Sequence, residues 1–295
     1  KNCAAVERGA REVHEVAIPA EWAQAQDPEP QVGEKKDVPA FIRTHMIPVY
    51  AQKGNDLPVS AFRDMPDSSM PVGTSKYEKP GVAEFVPMWK SDCCIQCNQC
   101  SLVCPHGVIR PILLTPEESA AAPETYETIP ANGKDLDGYR FRLQVSVLDC
   151  TGCGSCANIC PAKNKALEMK PLTTQSREIA NWKFTAALPH RHSPIGTNTV
   201  RGSQFEQPLL EFNCACPGCA QTPYVKLITQ LFGDRMYVAT ATGCSSVFAT
   251  GYPSIPYTTT EFGRGPAYSN SLFENNAEFG LGMALGVEQQ RSRLA

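Results

Sequence analysis

No stretch of the 295 residues holds about 18 consecutive apolar side chains, so no transmembrane helix is written into the sequence. The first twenty residues also lack an export signal, with Glu7, Arg8, Arg11 and Glu12 where unbroken hydrophobicity is needed. Basic excess is missing too: 27 Lys and Arg face 30 Asp and Glu, a net charge of −3. That balance neither neutralises a phosphate backbone nor holds an anionic membrane, so no nucleic-acid and no membrane partner is expected. The sequence reads as that of a soluble, unexported chain, and 42% apolar content is enough to build a core.

Cysteine and proline are abundant instead, at 14 and 25 residues. Disulfide scaffolds belong to small secreted domains, so metal ligation is the leading reading of the thiols. Pro19, Pro28, Pro30, Pro39, Pro48, Pro58, Pro66, Pro71, Pro80 and Pro87 break every periodic pattern near the start. Residues 1–90 therefore read as a connecting segment laid over a neighbour's surface. Residues 91–172 hold two cysteine runs, with Arg140–Leu148 alternating like a strand ahead of the second. From 173 to 295 the composition turns to an α/β mixture. Spacing predicts a helix over Thr222–Phe232 ending at Gly233, a buried strand over Met236–Thr242 and a helix over Ser271–Val287. Gly280, Gly282 and Gly286 have the wrong spacing and context for a dinucleotide fingerprint; close helix packing is their expected reason.

Cys94, Cys97, Cys100 and Cys104-Pro105 form the first run, and Cys150, Cys153, Cys156 and Cys160-Pro161 the second. Both follow the C-x2-C-x2-C-x3-C-P spacing of bacterial ferredoxins. Three thiolates at intervals of three wrap one face of a [4Fe-4S] cube, and the cysteine before proline reaches the other cube. One cluster is thus expected on Cys94, Cys97, Cys100 and Cys160, the other on Cys150, Cys153, Cys156 and Cys104. Zinc is the competing reading, but a tetrahedral site wants two pairs rather than two evenly spaced triplets with a fourth. Cys93 is out of register and is expected to ligate nothing. His106 is expected to be a surface imidazole, and His190 and His192 to be solvated without a role. Cys216, Cys219 and Cys244 remain, with Cys214 and Cys3 left over. Three thiolates are one short of a cube, so either the count is coincidence or a fourth ligand lies outside these residues.

Phe205–Phe212, Ala215–Cys219, Thr222–Met236 and Ala241–Ser246 resemble the pyruvate:ferredoxin (flavodoxin) oxidoreductase family. So do Gly263–Ala267, Asn270–Glu274 and Asn276–Gly280, while Asn55–Phe62 and Tyr77–Pro87 are similar to its connecting segment. The resemblance implies an internal fragment of a longer polypeptide, α+β and α/β in class. A bacterial-type 2[4Fe-4S] ferredoxin-like domain would be followed by the N-terminal part of an α/β thiamine diphosphate-binding domain. It further implies a third [4Fe-4S] cluster on Cys216, Cys219 and Cys244, nearest the thiamine, with a fourth ligand past Ala295. Gln221 stands where the family has a glutamate near the cofactor, in Ala220-Gln221 instead of Gly-Glu, and Cys214 replaces a glycine. The amide keeps hydrogen bonding and loses the charge.

The implied reaction is oxidative decarboxylation of pyruvate with coenzyme A to acetyl-CoA and CO2, with electrons passing to ferredoxin or flavodoxin. Thiamine diphosphate and Mg would serve in the full-length protein; the Gly-Asp-Gly that clasps magnesium is absent here, and no catalytic residue is assigned. The eleven thiolates are conductors, so the fragment alone is expected to be inactive. A homodimer and a cytoplasmic location are further expectations. The alternatives are a pyruvate:NADP or other 2-oxoacid oxidoreductase, or a stand-alone electron-transfer protein.

Overall fold

The computed structural model describes residues 2–24, 38–67, 69–249 and 251–295, and Pro28 and Pro30 lie outside the described residues. Ahead of the first proline, α1 (Asn2–Arg11) buries none of its residues. Beyond it, among the described residues before Gly73, the chain forms short turns and one helical stretch over 40–50, in which a π-helical segment (Ile42–Met46) runs into α2 (Ile47–Tyr50) with Pro48 in the first turn of the latter. From Gly73 the chain becomes a strap. Thr74 Oγ1 donates to Pro253 O (3.0 Å), Ser75 Oγ donates to Glu211 O (3.0 Å) and the Gly73 N–H donates to Tyr257 O (2.7 Å). A few residues on, Lys79 pairs with Asp149 and the Gly81 N–H reaches Leu148 O (2.8 Å). This strap clips residues 211, 253 and 257 to the segment just before Cys150.

β1 (Phe85–Trp89) pairs antiparallel with β5 (Leu167–Pro171), so the sheet begins ahead of the expected boundary at residue 91. Between them come α3 (Gln99–Leu102), β2 (Ile109–Leu114), α4 (Pro116–Ala120), β3 (Ile129–Pro130), β4 (Arg140–Val145) and α5 (Ser155–Ile159). β4 is the strand expected in Arg140–Leu148. It is central in the antiparallel order β2-β4-β3, and Phe141, Leu143 and Val145 are buried. Pro87, Pro111 and Pro130 all sit in edge strands, where a missing N–H need not break a ladder. Val86, Ile109, Phe141 and Leu167 form the core of this unit, with Trp89 and Phe205 edge-on to Phe141.

After β5 follow α6 (Arg177–Ala187), α7 (Val200–Ser203) and α8 (Thr222–Phe232), the last with the predicted bounds. Gly233 ends α8 with a right-handed φ of −61°; a Cβ there would stand 2.9 Å from Leu209 Cδ1 and 3.3 Å from Thr229 Cβ, so a larger residue would have to displace the Leu209 side chain. Next are β6 (Tyr237–Ala241), α9 (Cys244–Val247), β7 (Ala267–Ser271) and α10 (Asn276–Leu294). The strand expected to be buried over Met236–Thr242 is half exposed, because β6 pairs only with the parallel β7 and packs on α10. Ser271 closes β7 instead of opening a helix, and α10 runs on to Leu294. Close packing, the expected reason for its three glycines, demands none of them: a Cβ on Gly280 would meet Ala239 Cβ at an ordinary 3.5 Å, and Gly282 and Gly286 face open space. Among the described residues, no helix is long and apolar enough to cross a membrane.

Candidate metal centres

Two small cavities flank the contact between α3 and α5. One, with ≈ 350 Å³ of free space including its mouth, is lined by Cys94, Cys97, Cys100 and Cys160. The other, with ≈ 330 Å³, is lined by Cys104, Cys150, Cys153 and Cys156. Each takes three sulfurs from one run and the Cys-Pro sulfur from the other. The loops that present them wind alike. Gln96 and Asn98 have φ of 57° and 60°, and Gly152 and Gly154, at the equivalent positions of the second run, have 71° and 75°. Alternating left-handed residues turn successive amide N–H groups to one side, making a concave anion-binding surface. Glycine adopts that conformation freely. The first run holds it through side chains: Gln96 Nε2 donates to Pro130 O (2.8 Å), its Oε1 accepts from the Asn132 N–H (2.9 Å), and Asn98 Nδ2 donates to Arg201 O (2.9 Å).

The sulfur environment suits a cationic core. Burial pushes the Cys150 thiol up to about 12 and raises Cys94, Cys100 and Cys156, and neighbouring sulfurs add to the effect. Thiols raised in this way are thiolates only where a cationic core compensates their charge. Donors are in place: the Gly152 N–H lies 3.4 Å from Cys150 Sγ and the Ala166 N–H 3.2 Å from Cys160 Sγ. Trp89 Nε1 is buried without a hydrogen-bond partner, and Trp89 lowers the Cys94 thiol's pKa against the dominant burial. Among the described residues, no three His, Cys, Asp or Glu side chains converge closely enough for a single metal ion. Four sulfurs spread over a cavity wall fit a polynuclear cluster better than mononuclear zinc. Cys93 lines neither cavity.

Cys216 and Cys219 share one turn, closed by the Cys219 N–H on Cys216 O (3.0 Å). Cys219 precedes α8. Burial raises its pKa, but the N–H groups of Thr222 and Gln221 and the Thr222 hydroxyl outweigh it and lower the thiol overall. Cys244 is exposed at the first residue of α9, and Cys214 Sγ donates to Val247 O (3.3 Å), tying that helix to the 214–219 loop. The structure gives no direct contact of Cys244 with Cys216 or Cys219 among the described residues. Gln221 is exposed at the N-cap of α8 without a capping bond, and Cys3 is exposed on α1.

His106, expected at the surface, is 2% exposed. Its Nε2–H donates to Ala215 O (2.8 Å), a carbonyl 109 residues away that sequence spacing does not reveal, and burial holds its pKa below the usual value. Phe212 N–H on His106 O (2.8 Å) and Asn213 Nδ2 on Pro105 O (2.9 Å) extend the seam. A Cβ on Gly218 would lie 3.8 Å from Cys153 Cβ, so the third cysteine loop abuts the second cavity. His190 is likewise not merely solvated: its Nε2 accepts the Gln207 N–H (2.9 Å). His192 is mostly exposed and pairs with Glu206 (2.9 Å). Trp89, His106 and Thr222, whose buried hydroxyl has no hydrogen-bond partner and which lowers the Cys219 pKa, are the supporting residues that motif spacing missed.

Residues 93–164 match the 4Fe-4S dicluster domain, and residues 27–83 match EKR, a domain of unknown function. Over 295 residues the chain is 53% identical to a pyruvate:ferredoxin oxidoreductase of Moorella thermoacetica, covering 100% of this chain and 25% of that protein. It is 51% identical over 294 residues to a pyruvate-flavodoxin oxidoreductase of Enterobacter agglomerans, again 100% of this chain and 25% of that one. A pyruvate dehydrogenase [NADP(+)] of Cryptosporidium parvum is 49% identical over 259 residues, 87% of this chain and 13% of the relative. The chain spans about a quarter of the length of the first of these relatives.

Proposed function

We propose, from the premise that this chain is homologous over its whole length to a segment of the pyruvate:ferredoxin and pyruvate-flavodoxin oxidoreductases, that it is the electron-transfer segment of such an enzyme. The observation that carries the reading is the pair of four-cysteine cavities, each completed by the other run's Cys-Pro residue. Bound there, [4Fe-4S] clusters would supply low-potential one-electron carriers. Cys94, Cys97, Cys100 and Cys160 would hold one, and Cys104, Cys150, Cys153 and Cys156 the other. Cys216, Cys219 and Cys244 would hold a third with a ligand from elsewhere in the enzyme. Gly218 against Cys153 and His106 against Ala215 support an order in which the Cys104 cavity receives electrons from the third site and the Cys94 cavity stands beyond it. Residues 173–295 would begin the thiamine diphosphate domain, with Gln221 and Cys244 facing that cofactor. Pyruvate and coenzyme A would react there, ferredoxin or flavodoxin would take the electrons, and the cytoplasm would be the reducing compartment.

Prepared anaerobically, the 295-residue segment is expected to carry about eight iron and about eight acid-labile sulfide atoms. On reduction it should give the EPR signal of two interacting clusters, and it should turn over no pyruvate. Stoichiometric zinc in place of iron would end the reading.

A further inference from the structure

Helix α8 buries a lysine that none of the cysteine motifs requires. Lys226 is 1% exposed, and its Nζ donates to Ser101 O (2.5 Å) and Gln204 Oε1 (2.9 Å). Gln204 is held in turn by Ser101 Oγ (3.0 Å) and by donating through Nε2 to Gln230 Oε1 (3.1 Å). Every one of these partners is neutral, and no carboxylate among the described residues pairs with the amine. An isolated ammonium in a dry interior is costly unless an anion compensates it. Nζ is held on the Ser101 carbonyl, in the turn of chain between Cys100 and Cys104, and those two sulfurs favour its charged form while Arg110 opposes it. Cys100 lines one cavity and Cys104 the other.

We propose that Lys226 is a countercharge shared by both clusters, a fixed buried cation that stabilises the reduced state of each and raises both reduction potentials together. The inference rests on the cluster reading above. Reduction adds one negative charge to a cluster, and a cation held in low dielectric favours that added charge. Because Ser101 O and Gln204 Oε1 fix the Nζ position, the charge cannot swing away as an exposed lysine would. Trp89 and the Gly152 and Ala166 amides each act on one cavity; Lys226 sits behind the Ser101 carbonyl and serves both. Burial, with Arg110 beside it, brings this amine down to about 7 even against the pull of the two sulfurs, so the negative charge of a bound cluster is what would hold it as an ammonium.

The test is an EPR-monitored redox titration of the full-length oxidoreductase carrying Lys226→Met, beside Gln230→Met, which cuts the same network without removing charge. Lys226→Met is expected to shift the reduction equilibrium of both clusters toward the oxidised side by at least about tenfold, about 59 mV for a one-electron couple. Gln230→Met is expected to leave both potentials where they are. Iron and sulfide analysis separates the two levels of the argument. A parent enzyme without iron sinks the cluster reading, whereas an iron-loaded Lys226→Met with neither potential moved, or only one, overturns the shared countercharge alone. Should Lys226→Met lose its clusters, Lys226→Gln, which keeps a terminal donor, is titrated in its place. Loss of clusters in both, with Gln230→Met intact, makes the lysine an assembly residue and also overturns the inference.

Discussion

Gly152 and Gly154 share a left-handed conformation but differ in what surrounds them. A Cβ on Gly152 would stand 2.9 Å from Phe85 O, a backbone atom of β1, whereas one on Gly154 would meet nothing within 4 Å. Left-handed backbone costs an L-residue roughly 1–2 kcal/mol. Gly154→Ala is therefore expected to cost about 1 kcal/mol and keep its iron. Gly152→Ala adds a clash that only a shift of β1 or of the cysteine loop relieves, so its loss is larger and the Cys104 cavity loads iron poorly. Urea midpoints and iron content of the two variants side by side check this; equal losses would refute the packing argument. In the first run, Gln96 and Asn98 achieve the same winding without glycine because buried hydrogen bonds hold them. A sequence pattern that looks only for glycine sees one loop and misses its twin.

Elements whose signals are local were legible from the sequence. α8 has Pro223 near its start, apolar residues at helical spacing and a glycine at its end, and β4 alternates over six residues. Elements that depend on distant partners were not. Pro87 speaks against a strand until β1 is seen to pair across some eighty residues with β5, at an edge where proline is tolerated. The burial of His106 depends on Ala215, and the role of His190 on the 206–207 backbone. The latter has a pH consequence. Burial first, with His192 and Arg110 beside it, holds the His190 pKa below its ordinary 6.5 against the pull of Glu206 and Glu261. Below that pH the unfolded chain takes up a proton that the folded imidazole, its Nε2 already accepting the Gln207 N–H, resists. Stability is thus expected to fall as pH drops through 6.5 toward the folded pKa, with no contribution from this group above it. His190→Gln accepts the same N–H through a carbonyl and cannot charge, so it should flatten that slope in denaturation curves between about pH 7.5 and 5.5. An unchanged slope would mean that the imidazole titrates freely.

At the scale of the whole molecule, the strap from Gly73 to Gly81 and the His106 seam hold the third cysteine loop against the second cavity. The crossed cysteines join the two runs. The two triplets were readable from spacing, as was the rule that sends each Cys-Pro sulfur across. Which of the two cavities the third loop would meet was not readable, since it depends on Gly218 and Ala215 packing from more than fifty residues away. Crossing makes a prediction that an uncrossed arrangement reverses. Cys160 belongs by sequence to the second run but lines the cavity of the first, where its Sγ accepts the Ala166 N–H. Cys160→Ser is therefore expected to perturb the cluster held by Cys94, Cys97 and Cys100 and to leave the other intact. Its residual EPR spectrum should match that of Cys97→Ser, and the spectrum of Cys104→Ser should match that of Cys153→Ser. Were each run to ligate its own cluster, Cys160→Ser would pair with Cys153→Ser and Cys104→Ser with Cys97→Ser. Four spectra thus decide the wiring without prior assignment of either signal, because only the grouping of the variants matters.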